Sequence, residues 1–265
     1  MSRGARPRKN REPELPLNHH TAPVRNLKPD KVNIVFLSVA HTLAVVAVLY
    51  MILADAFSWW SFGLGLVYFA LCGLSITGGY HRLFSHPTYR ARGFLRFFYL
   101  FFGAASVQNS ALKWSSDHRV HHGKVDRPED PYNINEGFWW AHLGWVLFKD
   151  PDKQLNNVKD LEKDPLVMLQ HNHYILFAVM SAAVLPFCLG LIWGDPIGAV
   201  LIAGFLRLVV QWHATFSINS VAHVLGKQPY STKNSARDSI VTALITFGEG
   251  YHNYHHVFHG DYRKG

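Results

Sequence analysis

Cysteine is nearly absent: the 265 residues hold only Cys72 and Cys188, each inside an apolar run. That excludes a disulfide framework and a cysteine metal site, and both residues read as core filler. Charge is scarce as well. Asp, Glu, Lys and Arg make up 17% of the chain, against about 25% in soluble domains. Hydrophobic residues reach 49%, so much of the surface is expected to face something other than water. No carboxylate-rich or thiolate set suggests calcium, magnesium or an iron–sulfur cluster. The first 31 residues lack an apolar stretch of signal-peptide length. With eight Lys or Arg plus Pro and Gly, they read as a disordered basic tail on the cytosolic side, with His19 and His20 solvated. The net charge is +8, but no nucleic-acid recognition motif accompanies it, so a nucleic-acid partner is not expected.

Long uncharged runs are present. Residues Asn33 to Ala54 and Phe57 to Tyr80 form runs of 22 and 24 residues, about 33 and 36 Å as helices, enough to cross a hydrocarbon layer of about 30 Å. Tyr174 to Trp193 and Ile197 to Ile218 form a second pair joined by a "GDP" turn, with Pro186 a candidate kink in the third span. Eight of the 26 basic residues precede the first span, twelve lie between Arg82 and Gln170, and five follow Ile218. The positive-inside rule therefore puts both termini and the long middle segment in the cytosol. The stretches "FLRFFYLFFGAASVQ" and "SIVTALITFGEG" are too short or interrupted to span and read as interfacial or core helices.

Histidine is the other surplus. "WSSDHRVHHGK" places His118, His121 and His122 at i, i+3 and i+4, and "YHNYHH" repeats the spacing with His252, His255 and His256. Random placement predicts roughly 0.07 such triplets in this composition. On a helix the three rings share one face, so each triplet is expected to converge on a single point. His81 and His86 are five apart, about 140° around an α-helix, so the second ring needs the helix end to unwind toward Pro87. "NSVAH" sets Asn219 and His223 at i and i+4 at the cytosolic end of the fourth span. These nine histidines lie at one predicted membrane depth and suffice for two ions with four or five ligands each, Asn219 holding a water or a vacant position. Imidazole suits zinc, copper, nickel and iron alike, so the ligands leave the metal open. Asp117, Asp126, Asp130 and Glu249 could accept the outer ring N–H groups. His142, His171, His173 and His259 fall outside the ligand spacing. His41, Arg207 and His213, inside spans, read as interhelical hydrogen-bonding groups.

The ordered set HRLFSH, DHRVHH, NSVAH and EGYHNYHH, together with QNSALKW, EDPYN, FLRL and PYSTKNSARDS, resembles the membrane acyl-CoA desaturases of the stearoyl-CoA (delta-9) type, from about Lys31 to Arg263. The resemblance implies an all-α fold: a four-helix membrane domain under a cytosolic helical cap that holds two irons. By motif matching the ligands are His81, His86, His118, His121, His122, His223, His252, His255 and His256, with Asn219 acting through water. Asn109, Thr215 and Phe216 match positions near an enclosed acyl tunnel, the last being commonly Trp in the family. Ser116 stands where animal relatives have an arginine that contacts the nucleotide head group, which leaves the acyl carrier open.

The implied reaction is O₂-dependent insertion of a cis double bond, at the delta-9 position, into a saturated acyl chain. Its partners are a long-chain acyl-CoA or other acyl carrier, the lipid bilayer, and a separate electron-donor protein such as cytochrome b5 or ferredoxin. The membrane is a bacterial inner membrane or the endoplasmic reticulum. Residues 1–31 form the tail and 32–265 the membrane domain with its cap. The chain stops nine residues after His256, where relatives continue, so its completeness is left open. A membrane hydroxylase or alkane monooxygenase shares the diiron logic. A histidine-rich metal transporter would instead string polar groups across the spans.

Overall fold

The computed structural model describes residues 26–263, apart from 56 and 152. Most of the basic tail, with His19 and His20, lies outside the described residues. A two-residue strand β1 (Lys28–Pro29) pairs antiparallel with β2 (Phe148–Lys149), a minor addition to an all-helical chain. Asp30 then caps α1 (Lys31–Leu53), its carboxylate accepting from the N–H groups of Val32 and Asn33. Ser58 caps α2 (Trp59–Leu74), which continues as a π-helix over Ser75–Ser85. The cap elements α3 (Gly93–Ala104), α4 (Ala111–Lys124), α5 (Phe138–His142) and α6 (Pro165–Asn172) follow. The second pair of long helices is α7 (Tyr174–Ile192) and α8 (Pro196–Val224). Two short helices, α9 (Ile240–Ile245) and α10 (His252–Val257), end the fold.

The four helices α1, α2, α7 and α8 are long and apolar enough to cross a membrane. Those carrying the metal motifs run further toward the cap than charge alone suggests, α2 to Ser85 and α8 to Val224. In α1 a stripe of Ala40, Ala44 and Ala47 is buried, while Val35, Val45 and Ile52 are exposed. Small residues let helices approach closely, and the outward branched side chains suit lipid. Leu37 and Ala40 pack on Leu208, Trp212 and Phe216 of α8. At 12 residues or fewer, α3 and α9 are too short to span.

In α7 a π-turn, Met180–Val184, directly precedes Leu185 and Pro186. The irregularity falls where proline lacks an N–H and its ring crowds the preceding turn. At the outer turn, Gly194 adopts φ +77° and Asp195 acts as a clamp. Its carboxylate accepts from the Tyr50 hydroxyl (2.7 Å), the Ser61 hydroxyl (2.6 Å) and the backbone N–H groups of Ser58 and Gly198 (3.2 and 2.9 Å). One carboxylate thus ties α1, α2 and α8. The cysteines divide: Cys72 is buried, but Cys188 is exposed on α7, because it lies on the outward side of a helix whose apolar surface faces lipid.

Candidate metal centre

Nine histidines gather into two adjoining groups. His81, His86, His118, His122 and His255 form one, and His121, His223, His252 and His256 the other, with the candidate donor atoms of each group within 4.8 Å of one another. His122 and His256 stack at 4.3 Å across the boundary between the groups.

Each triplet divides between the groups instead of converging. On a helix the i+4 side chain lies about 40° to one side of residue i and the i+3 side chain about 60° to the other. Thus α4 sends His118 and His122 to the five-histidine group and His121 to the four-histidine group. In α10, His252 and His256 join the four and His255 the five. Each of these helices lies between two centres and serves both.

The π-helix resolves the spacing of His81 and His86. The His86 N–H donates to the His81 carbonyl at 3.1 Å, an i to i+5 bond. The wider turn brings side chains five apart onto nearly one face, and π-segments often mark functional sites. The ring centroids lie 5.0 Å apart. Arg119 supports this helix end by donating to the carbonyls of Ser85 and Phe84, both at 2.9 Å, which satisfies C-terminal acceptors left over by the helix.

The nitrogen geometry fits cations. Nε2 atoms face one another at 2.9 Å for His81 and His255, 2.8 Å for His86 and His118, 3.2 Å for His121 and His256, 3.0 Å for His252 and His223, and 3.1 Å for His256 and His252. Neutral imidazoles have no protons to fill all these contacts at once. With metal–nitrogen bonds of about 2.0–2.1 Å, adjacent ligand nitrogens at right angles lie about 3 Å apart. Burial first, then the neighbouring imidazoles, hold His118, His122 and His256 well below the usual histidine range, which keeps these three rings neutral.

Outer contacts fix which nitrogen faces inward. Glu249 lies 2.8 Å from His81 Nδ1 and accepts from Arg82 Nε at 3.0 Å and from the Thr77 hydroxyl. Burial alone raises the Glu249 pKa, but His81 and Arg82 outweigh it and bring the carboxyl down to about 2. Asp130 lies 2.9 and 3.0 Å from His121 Nδ1. Asp126 acts at one remove: it accepts from the Ser235 hydroxyl, whose oxygen lies 2.7 Å from His223 Nδ1. Such partners orient ligands and select their tautomers. Asp117 does not join them. It pairs with Lys153 on the other side of the same helix.

Around the centre, Asn219 ends the main helical segment of α8, half-buried, and the turn at Ser220 separates it from His223. Thr215 accepts from Gln108 Nε2 at 3.1 Å. Phe216 packs against His142 and Trp145. Asn109 is exposed at φ +73°, and its neighbour Gln108, the first residue of QNSALKW, makes the contact with Thr215. Ser116 is buried and its hydroxyl donates to Asn157 at 2.7 Å. His259, set aside by spacing, lies at the open edge with its ring 5.7 Å from His86 and 6.1 Å from His122. His171 bonds Ser110 instead. A cavity of about 30 Å³ between α2, α8 and α9 is lined by Phe69, Gly73, Thr215, Ile218, Ile245 and Phe247, among others. It has the volume of roughly one water.

The fatty acid desaturase family model matches residues 57–261, which contain all nine histidines. The chain belongs to the fatty acid desaturase family. A probable acyl-CoA desaturase of Schizosaccharomyces pombe is 48% identical over 76% of this chain and 42% of its own length. Acyl-CoA desaturase 1 of Saccharomyces cerevisiae is 46% identical over 74% of this chain and 39% of its own. Human stearoyl-CoA desaturase is 36% identical over 87% and 65%. The chain thus spans about two fifths of the two yeast desaturases and about two thirds of the human one. Names among its relatives include both delta-9 and delta-11 desaturases.

Proposed function

We propose that the chain is an O₂-dependent fatty acyl desaturase that places a cis double bond, at the delta-9 position, in a saturated acyl chain carried by coenzyme A. The observation that supports this most is the convergence of histidine ring nitrogens into groups of five and four beside the ends of α2 and α8. The acyl-CoA desaturase names of its relatives supply the substrate class. Two irons fit the donor set, since imidazole holds iron and this chemistry needs a redox metal. When bound, they supply the electron exchange with O₂ that removes two hydrogens from adjacent methylenes.

The chain's own groups hold and shield the reacting atoms. The nine histidines present a ring nitrogen inward, Nε2 in all but His122, with Asn219 acting through a water. Glu249, Asp130 and the Asp126–Ser235 pair keep the outer Nδ1 atoms engaged. Thr215 and Phe216, with Asn109 nearby, flank the acyl chain, because selectivity requires that one C–H pair meet the centre and that water be excluded. Electrons come from a separate donor protein. The distribution of basic residues puts the cap and both termini on the cytosolic side.

The test is expression in a host lacking unsaturated fatty acids, with lipid mass spectrometry for the wild type and His121→Ala. The expected product is about 2 Da lighter than its substrate and absent in the variant. A product about 16 Da heavier would make the chain a hydroxylase. Metal uptake into vesicles without O₂ consumption would make it a transporter.

A further inference from the structure

A tenth histidine stands at the edge of the centre. Of the five-histidine group, His81, His118 and His255 are buried, and only His86 and His122 are partly exposed. Among the described residues, the side of that group open to solvent is therefore the side of these two rings. His259, itself exposed, stands against both, its ring centroid 5.7 Å from His86 and 6.1 Å from His122. The turn that follows α10 holds it there. Phe258 packs on Tyr254 at 4.9 Å and on Tyr230 at 5.9 Å. The Asp261 N–H donates to the Phe258 carbonyl at 2.9 Å, and the Tyr254 hydroxyl donates to the Asp261 carboxylate at 2.9 Å. From the π-helix, Arg82 donates to the Tyr262 carbonyl at 3.4 Å.

The spacing suits a cation. His86 and His122 lie 4.6 Å apart, so the point equidistant from the three ring centroids is about 3.2 Å from each. A metal–nitrogen bond of about 2.0–2.1 Å, added to the roughly 1.1 Å between an imidazole nitrogen and its ring centre, gives about the same length. One ion can thus bond a nitrogen of each ring once His259 turns about its own side-chain bonds, a fast motion for an exposed residue. His259 is not a sixth resident ligand, for it stands outside the set whose donor atoms all lie within 4.8 Å of one another. The trio instead shares two rings with the five. An ion held by His259, His86 and His122 moves inward by giving up one ring, and it keeps two protein ligands throughout. The positive side chains of this turn are offset, since Arg82 pairs with Glu249 at 3.0 Å and Arg263 with Asp261 at 2.9 Å.

We propose that His259, together with His86 and His122, is the entry site through which the five-histidine group is loaded with a divalent first-row cation such as ferrous iron. The proposal rests on the two-ion centre of the desaturase reading above and adds a residue that no ligand spacing selects. A hydrated ion that met the five rings unaided would have to shed most of its water before any full ligand set replaced it. His259 lets the exchange proceed in stages, one ring and one water at a time. Such a transit ligand lowers a single barrier, which is crossed in both directions. It therefore speeds uptake and release by the same factor and leaves the equilibrium affinity unchanged.

The test follows Co²⁺, which binds imidazole and reports its coordination by visible absorbance, into the metal-free full chain in nanodiscs by stopped flow, with neither acyl-CoA nor O₂ present. His259→Ala is expected to slow uptake of one of the two ions about tenfold and to slow its release to excess chelator by the same factor. Two cobalt per chain and the equilibrium affinity are expected to stay as in the wild type. His259→Glu keeps a metal-binding group in place and is expected to recover most of the rate. His173→Ala, at an exposed histidine between α6 and α7, is expected to load as the wild type does. Wild-type rates in His259→Ala would overturn the proposal. So would loss of one bound cobalt, which would make His259 a resident ligand, and so would equally slow loading of His259→Glu or His173→Ala. An inactive chain that shows the slowed loading fails the desaturase reading and keeps the entry site, and an active chain with wild-type loading in His259→Ala does the reverse.

Discussion

Replacing Asp130 by Asn tests the centre one ion at a time. Asp130 is 1% exposed. Its two oxygens face His121 Nδ1 at 2.9 and 3.0 Å and accept the backbone N–H groups of Tyr132 and Asp126 at 3.1 and 3.2 Å. An amide keeps the shape but turns one acceptor into a donor facing an N–H. Loss of such an outer partner costs about 10–100-fold in metal affinity, or about 1.4–2.7 kcal/mol. The cost falls on the four-histidine group alone. Iron measured after dialysis against chelators of graded strength is expected to drop from two to one per chain. Glu249→Gln, which touches His81, is expected to release the ion of the five-histidine group instead. Asp117→Asn, paired with Lys153, is expected to keep both. Wild-type affinity for both ions in Asp130→Asn would refute this reasoning, as would an equal loss in Asp117→Asn.

Acid is expected to destabilise the metal-free chain. His118, His122 and His256 have folded pKa values below the unfolded value, so below about pH 6.5 the unfolded chain binds more protons. Each such ring then removes about 1.4 kcal/mol of stability per pH unit, and denaturation at pH 7.5, 6.5 and 5.5 should show no loss above 6.5 and a steep one below. Asp195→Ala removes the acceptor that joins α1, α2 and α8. It is expected to cost about 3 kcal/mol, read as a lower Tm in micelles, and an unchanged Tm would show the clamp to be dispensable. Gly73→Ala places a methyl against the Phe247 ring in the wall of the cavity. The expected result is a shift of products toward shorter acyl chains, and an unchanged product profile would exclude this wall from chain-length selection.

Much of the centre was legible because its signals are local. Two i, i+3, i+4 triplets name six of the nine rings, and charge-free runs mark the spans. Other features depend on contacts far apart in the chain. Gln108 pairs with Thr215 across 107 residues and Asp126 reaches Ser235 across 109, so no spacing rule detects them. Asp117 sits beside His118 in the sequence yet turns toward Lys153, because adjacent helical positions point about 100° apart. His259 fits no helical register with its neighbours, since the chain has left α10 at Phe258 before reaching it.

By itself the sequence determined that this chain has four apolar helices and nine histidines able to meet at one membrane depth. Helical periodicity and hydrocarbon thickness are properties of short segments. Only the tertiary structure decided which ring joins which group. The division of each triplet into two and one depends on α4 and α10 lying between both groups, and the pairing of His81 with His86 depends on a π-turn. Both are set by packing among segments more than a hundred residues apart.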